Sequence, residues 1–374
     1  PYLTDANPRV ASTAAVVLAQ SRKPEDRQAA EHTLSRLSQE ADSTSVGRRE
    51  VAKALRQVDD PVLQSLLIPL LSDPTPAVAE EAMRSVQAAG TANFLFVPAL
   101  VALLRDRRLK SAARDVLVSY GEPIVDTLAF FLSSQEEEIW VRRHIPATLA
   151  RIPVQKSMDA LIAQIATERD GFTRFKLVTA IDRLRREHPE LTFDKKSFEG
   201  MVLSEGNRYF EYLSLHYNLF GKGRMPAEHL LADALAEKVA RAKNRVYLLL
   251  GLIYPWKDIV AARWAIEHGD ARAKSSAIEY LDNILEGNIR RRLMPILDDM
   301  PIDERVRRGN VLIKTRERDV EESLLQSIND EDEVVSATAI DLVGRMNIAS
   351  LAAPILAALV VTADETREVV TGRG

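Results

Sequence analysis

One short pattern recurs along the chain at a spacing near 32 residues, and it constrains the fold more than any other feature. It begins with an acidic, amide or small polar residue, called the anchor here. A small apolar residue follows three places later, often Arg or Lys at the fourth place, and Ala or a substitute at the seventh. The anchors are Asn7, Thr75, Asp106, Glu138, Asp170, Asp270, Asp303 and Asp332. Such a period is typical of stacked helical repeats.

The pattern is physically consistent with the first turn of a helix. A polar side chain at the anchor can accept a hydrogen bond from a backbone N–H of that turn, and Pro8 and Pro76 at the next place lose no needed donor. The residues at the third and seventh places lie one turn apart and are predicted to share the buried stripe. The basic residues at the fourth place, including Arg142, Arg174 and Arg307, are predicted to pair with the acidic anchors of successive repeats.

A second, more hydrophobic segment precedes several of the anchored helices. Residues 62–71, 94–104, 124–132 and 158–165 carry apolar side chains at helical rather than alternating spacing. Each repeat is therefore predicted to contain a helix, a tight turn and a second helix. Because no segment has the pattern of a strand, the sequence predicts an all-α protein.

The anchored segments resemble HEAT repeats, whose second helix typically opens with Asp-Pro-x-Val-Arg-x-x-Ala. Asn-Pro-Arg-Val-Ala at 7–11 and Thr-Pro-Ala-Val-Ala at 75–79 are the copies that keep the proline. The resemblance implies an armadillo-like superhelix, a right-handed α-solenoid of about 10 to 11 antiparallel helix pairs. It also implies an N-terminal HEAT-like block at 1–187, irregular aromatic-rich helical layers at 188–256 and a C-terminal HEAT-like block at 257–374.

A narrower resemblance rests on Tyr-Leu-Leu-Leu-Gly-Leu-Ile-Tyr-Pro at 247–255 and Ser-Ala-Ile-Glu-Tyr-Leu-Asp-Asn-Ile-Leu at 276–285. Together they look like the cytosolic HEAT-repeat region of bacterial proteins in which such repeats follow a nucleotide-transporter-like membrane module. This implies a cytoplasmic location, at the inner face of the membrane through a parent protein. The chain starts with Pro1 inside a repeat, which fits a piece of a longer protein. The alternative is that residues 276–285 simply form a good amphipathic repeat helix.

Composition limits the kinds of site that the chain can hold. With no cysteine it has no disulfide, no thiolate metal site and no thiol nucleophile, which fits a reducing compartment. Its six histidines are scattered, without the i, i+4 pair of helix-borne zinc sites. Gly-Lys-Gly-Arg at 221–224 lacks the strand and the hydroxyl residue of a phosphate loop. No run of about 18 apolar residues is present. We predict no catalytic residue, no metal, no cofactor and no transmembrane segment in this chain.

Positive charge is concentrated between residues 141 and 186, although the whole chain has a formal net charge of −4. Several basic residues of this stretch lie on anchored helices, which usually line the concave side of HEAT repeats. A basic groove would attract an acidic protein or a phosphate-rich ligand. Trp140, Phe172 and Phe175 flank the stretch, and such rings suit either a protein hot spot or base stacking. The alternative is that the rings belong to the core and the arginines to a solvated face.

A second concentration, of aromatic residues, lies between Phe198 and Phe220 and predicts a longer or tilted helix pair that carries a binding surface. The alternative is that these rings simply add to the core. The partner-binding residues predicted from the two regions are Trp140, Arg142, Arg143, Arg174, Lys176, Arg183, Tyr209 and Tyr212.

These features predict a non-enzymatic interaction scaffold that binds a protein partner, or another domain of its parent chain, along the concave face. A second hypothesis is nucleic-acid binding through residues 141–186, as in HEAT-like DNA glycosylases, although the overall acidic balance argues against it. A third is lyase activity, because bilin lyases also use HEAT-like repeats, but no residue marks a pocket for it.

Overall fold

The computed structural model describes residues 2–39, 43–90, 93–221, 223, 225 and 229–356. Every regular element in these ranges is helical and none is a strand, so the protein is all-α as predicted. No single helix of the described part is long and apolar enough to cross a membrane; the bent pair Lys110–Ser119 and Glu122–Ser133 meets the length and composition test only when both halves are joined. The chain divides into two compact units, Pro1–Phe193 and Asp194–Gly374.

The α-helices of the first unit are α1 (Pro8–Ala19), α2 (Pro24–Ser38), α3 (Ser45–Leu55), α4 (Pro61–Gln64), α5 (Leu67–Leu71), α6 (Pro76–Ala89), α7 (Val97–Ala102), α8 (Lys110–Ser119), α9 (Val125–Ser133), α10 (Ile139–Arg142), α11 (Ile145–Leu149), α12 (Gln155–Thr167) and α13 (Gly171–Glu187). Short 3-10 helices occur at Tyr2–Thr4, Phe94–Phe96, Leu103–Arg105 and Glu122–Ile124.

Helices of the first unit contact their partner in the same repeat and the equivalent helix of the next repeat. The anchored helices α1, α3, α6, α8, α11 and α13 contact one another in that order. The hydrophobic helices α5, α7, α9 and α12 pack against α6, α8, α11 and α13 respectively. Each repeat of this unit therefore buries its apolar face against its immediate neighbours.

The predicted buried stripe is present in most anchored helices of the first unit. Val78 and Ala82 in α6 are buried, as are Thr173 and Leu177 in α13. The anchor Asp170 accepts a hydrogen bond of 2.6 Å from the backbone N–H of Thr173, so it caps α13 as predicted. These positions place α6 and α13 in the same register relative to their anchors.

Parts of the predicted capping and register are wrong. The anchors Thr75 and Glu138 make no side-chain cap. In α1 the stripe lies one residue later than predicted, because Ala11 and Ala15 are buried while Val10 is exposed. In the second unit Asp303 does not cap a helix: the helix Ile302–Leu312 begins at Ile302, Pro301 occupies the cap position before it, and Asp303 lies in its first turn. An acidic side chain there interacts with the positive helix end instead of binding a backbone N–H as a cap.

Buried arginines connect successive repeats of the first unit. Arg142 donates to Glu168 over 2.6 Å and to the carbonyl of Leu132 over 3.0 Å. Glu168 also accepts the backbone N–H of Asp170 over 2.9 Å, so one carboxylate connects an arginine to the start of the next anchored helix. Arg142 therefore pairs with an acid of the next repeat, but that acid is Glu168 and not the predicted anchor Asp170, which pairs with Arg143.

The same arrangement occurs at a repeat that the anchor pattern missed. Thr44 caps α3, and Arg48 follows it at the fourth place. Arg48 binds Asp73 over 2.5 Å, and Asp73 accepts the backbone N–H of Thr75 over 2.8 Å. Because both side chains of each pair are almost fully buried, removing one partner would leave an uncompensated charge in the interior.

The α-helices of the second unit are α14 (Lys196–His216), α15 (Leu230–Ile253), α16 (Trp256–His268), α17 (Ala271–Ile284), α18 (Gly287–Leu297), α19 (Ile302–Leu312), α20 (Val320–Ile328) and α21 (Glu333–Met346). A π-helical turn at Tyr217–Gly221 extends α14, and a 3-10 helix occupies Ala349–Leu351.

The second unit is organised around α14 and α15, the two longest α-helices described. A longer pair was predicted from the aromatic-rich segment. This pair contacts α16 and also α18, α19 and α21. These contacts differ from those of a linear stack, in which each pair contacts only its neighbours. The HEAT-like block predicted for residues 257–374 stays a prediction, and residues 357–374 lie outside the described residues. Residues 194–256 belong to the same unit as these helices, and the division of the chain lies close to the predicted boundary at residue 187.

Candidate protein-binding surface

Helices α10 and α13 of the first unit, with the residue that follows α10, bring five side chains together at the surface. The guanidinium carbon of Arg143 lies 5.0 Å from the ring centroid of Trp140 and 5.1 Å from that of Phe172. The ammonium group of Lys176 lies 5.0 Å from the Phe172 centroid and 5.9 Å from that of Phe175. We call Trp140, Arg143, Phe172, Phe175 and Lys176 the aromatic–cationic patch. Its rings and cations alternate, and cation–π attraction between neighbours stabilises this arrangement.

The anchor Asp170 fixes the centre of this patch. Its two carboxylate oxygens accept hydrogen bonds from Arg143 over 2.9 and 3.2 Å, and Thr173 donates to the same carboxylate. Burial of the Asp170 carboxyl raises its pKa, but the hydrogen bonds from Arg143 and Thr173 outweigh this and hold the pKa below its usual value. A bidentate pair of this kind orients the guanidinium, so Arg143 is held against both rings.

Trp140 remains the most accessible member of the patch, with 59% of its surface exposed. Phe172, Phe175 and Lys176 are half-buried on α13, and Arg143 is half-buried just after α10. A large exposed ring that is held by neighbours, rather than mobile, loses little further conformational entropy on binding. The sequence prediction placed Trp140, Arg143 and Lys176 at a common surface, and the structure brings these three residues together.

Two of the predicted partner-binding residues lie in the interior instead. Arg142 is 5% exposed and Arg174 is 7% exposed. Arg142 belongs to one of the buried arginine–carboxylate pairs, and Arg174 donates to the carbonyls of Glu168 and Arg169 over 2.8 and 2.6 Å. Their side chains stabilise the turns between repeats and do not form part of an exposed surface.

The remaining predicted residues are not members of the patch. Arg183 is exposed on α13 and pairs with Glu187 over 3.0 Å, about 10 Å along the helix axis beyond Lys176. Tyr209 and Tyr212 belong to α14 of the second unit. Tyr209 is buried, and the half-buried Tyr212 ring is covered by the ammonium group of Lys238 at 4.5 Å.

The positive charge of the stretch 141–186 is largely compensated by ion pairs. Some of the acids belong to the stretch and others lie outside it. The pairs are Arg142 with Glu168, Arg143 with Asp170, Arg151 with Asp115, Lys156 with Asp126, Arg183 with Glu187, and Arg185 and Arg186 with Asp182. The charge excess counted along the sequence is therefore much smaller at the surface of the folded unit.

A smaller group of cations beside the patch makes no direct ion pair among the described residues, and the sequence interpretation missed it. Arg114 of α8 donates to the Thr148 hydroxyl over 3.2 Å, and Thr148 donates to the backbone carbonyl of His144. Burial, and then the charge of Arg151, lowers the pKa of Arg114, and the Asp115 carboxylate opposes this only in part. No carboxylate of the described residues lies within ion-pair distance of Lys110, Arg114 or Lys176. We call Lys110, Arg114, His144 and Lys176 the cationic strip.

The pKa of His144 reflects the positive electrostatic potential of the cationic strip. Burial lowers the pKa of His144, and the charges of Lys110, Arg114 and Lys176 lower it further, to about 4. These three cations come from α8 and α13, the helices that contact α11 on either side. The imidazole is therefore neutral at neutral pH.

The depressed pKa of His144 makes stability depend on pH. An unfolded histidine takes up a proton near pH 6.5, whereas folded His144 does so near pH 4, so the unfolded state binds more protons between these values. We expect the free energy of unfolding of the native protein to fall as the pH drops through this window. In His144→Gln that fall should be about 2 kcal/mol smaller. The full pKa difference corresponds to about 3 kcal/mol, and the smaller figure allows for the partial solvation of the ring. Urea unfolding at several pH values measures this. The exposed His32→Gln variant is the control, and an unchanged pH slope in His144→Gln would contradict the expectation.

Comparison with known proteins adds no family. No family model matches the chain, and no curated protein matches it. Among solved structures, the chain is similar to one described as the crystal structure of an engineered protein. The two share 16% sequence identity over 92% of this chain and 97% of the other, with a TM-score of 0.29. At that score the likeness carries no argument about fold or function.

Proposed function

We propose that this chain is a non-enzymatic interaction scaffold that binds a protein partner, or another domain of its parent chain, through the aromatic–cationic patch. The observation that supports this most is Trp140, a large ring that is held in place by Arg143 and yet more than half exposed. Exposed tryptophan and arginine side chains that are already oriented are typical centres of protein interfaces. In this proposal the core residues Arg142 and Arg174 hold the helices that present the patch.

The proposal includes a HEAT-like solenoid for the first unit. It is supported by the order in which the anchored helices contact one another and by the recurring arginine–carboxylate pairs at Arg48 and Arg142. Under this proposal the patch lies on the anchored helices, which usually line the concave side of such a superhelix. The chain would act in the cytoplasm as the HEAT-like region of a bacterial multidomain protein, as the narrower sequence resemblance implies.

Nucleic-acid binding is less well supported than protein binding. Most arginines of the stretch 141–186 already bind carboxylates, so few charges remain to neutralise phosphates. The ring of Phe172 is also contacted by two cations, which leaves less of its face for a stacked base.

Site-specific crosslinking tests the proposed surface. A photoreactive phenylalanine at position 140 of the full chain, irradiated in a lysate of the source organism, is expected to give discrete protein adducts. The matched control carries the same group at Phe130 of α9, which is 67% exposed but lies outside the patch. Adducts at position 140 should disappear when Phe172 is replaced by Ala.

Two results would overturn this proposal. One is an adduct pattern at position 140 that equals the pattern at position 130, because both exposed positions would then be reporting random encounters. The other is adduct formation that is unchanged by Phe172→Ala, because the neighbouring ring would then play no part in the interaction.

A further inference from the structure

We propose that the partner presents an acidic protein segment, rich in Asp and Glu, and that this segment binds along the cationic strip beside the aromatic–cationic patch. This inference rests on the proposed function and specifies the chemistry of the partner. Its first support is geometric. Lys110 and Arg114 come from α8, His144 from the start of α11 and Lys176 from α13, and these three helices contact one another in order.

Lys176 joins the strip to the patch. Its ammonium group contacts the rings of Phe172 and Phe175, and its charge also acts on His144. A peptide that places an apolar side chain on Trp140 or Phe172 would therefore place neighbouring carboxylates next to Lys176. The two surfaces can bind one continuous segment because they share this residue.

The pairing of the surrounding charges is the second support. Arg143, Arg151 and Lys156 have carboxylate partners in the same unit. Lys110, Arg114 and Lys176 have none within ion-pair distance among the residues that the structure describes. Three half-buried cations around a neutral imidazole create a positive potential that carboxylates would relieve. Such complementarity selects partners by charge and speeds their association.

A protein segment fits this surface better than a nucleic acid. The strip has four members and ends at a patch of rings that are already covered in part by cations. Phosphate backbones are usually bound by longer basic surfaces on domains with a net positive charge, whereas this chain has a formal net charge of −4. Carboxylates spaced along a short peptide need only the few cations present.

Fluorescence anisotropy with a defined probe tests the inference on the full chain. The probe is a fluorescein-labelled twelve-residue peptide of Asp, Glu and Leu, and its amide analogue contains Asn, Gln and Leu. We expect the acidic peptide to bind at least about tenfold more tightly than the analogue, with an affinity that falls as salt increases. Lys110→Gln combined with Lys176→Gln should weaken the acidic peptide about tenfold. The control removes two exposed charges elsewhere in the same unit, Lys23→Gln with Lys53→Gln, and should leave binding unchanged.

Each outcome decides for or against the inference. Equal binding of the two peptides, or equal weakening by the control pair, would overturn it. Displacement of the acidic peptide by lower concentrations of a single-stranded oligonucleotide of matched charge would overturn it in favour of nucleic acid. These results are separate from crosslinking at position 140, because loss of adducts there contradicts the proposed function, whereas loss of charge selectivity with adducts intact contradicts only the acidic partner.

Discussion

Replacing Glu168 with Ala is expected to lower the free energy of unfolding of the first unit by about 3–5 kcal/mol. The change leaves the guanidinium of Arg142 buried without its carboxylate, and it removes the acceptor of the Asp170 backbone N–H. The Asp170 N–H would then lack its acceptor, and the Arg142 guanidinium would keep the Leu132 carbonyl but no balancing charge, in a region from which water is largely excluded. Urea unfolding of the full chain, followed by circular dichroism, measures the loss.

An exposed ion pair in the same unit provides the control. Glu138 pairs with Arg105 at the surface and makes no side-chain cap to α10, so Glu138→Ala should cost less than about 1 kcal/mol. The double variant Arg142→Met with Glu168→Leu should recover most of the stability lost in Glu168→Ala, because it removes both buried charges. Equal costs for Glu168→Ala and Glu138→Ala would show that the buried pair does not connect the repeats as described.

The repeat pattern predicted the helices of the first unit better than it predicted their partners. It located the capped start of α13 and the buried stripe of α6, since both depend on residues close in sequence. It missed the copy at Thr44 because Gly47 stands where the pattern expects an apolar residue. The acids that bind Arg48 and Arg142 lie on the turn before the next helix, and a pattern that begins at the anchor does not include that turn.

The sequence predicted only part of the candidate surface, because the repeat pattern indicates which helix face a residue shares but not whether its side chain is exposed. Trp140 and Phe172 occupy the same place after successive anchors, as do His144 and Lys176, so a common face could be expected from the repeat. Whether an arginine on such a helix points inward or outward changes between adjacent places, as Arg142 and Arg143 show. This is why the sequence interpretation counted both as surface residues, and why it left His144 out of the surface.

The packing of the second unit depends on contacts that no repeat encodes. Helix α14 contacts α18 and α19, which follow it by a long stretch of chain. A signal for these contacts was present in two glycines inside helices. An added Cβ at Gly206 would lie 2.9 Å from a methyl carbon of Leu293, and one at Gly309 would meet the ring of Phe210. Glycine is unfavourable within a helix, so its presence there indicates a close approach of another element.

Replacing Gly309 with Ala is therefore expected to destabilise the second unit by about 1–3 kcal/mol. The new methyl group would overlap the fully buried ring of Phe210, and this outweighs the gain of about 1 kcal/mol in helix propensity. The matched control is Gly344→Ala in α21, where an added Cβ meets nothing within 4 Å, so the same substitution should stabilise by about 0.5–1 kcal/mol. Thermal unfolding of both variants measures the difference in sign. Phe210→Leu in the Gly309→Ala background should relieve part of the overlap, and stabilisation by Gly309→Ala alone would contradict the close packing of α14 on α19.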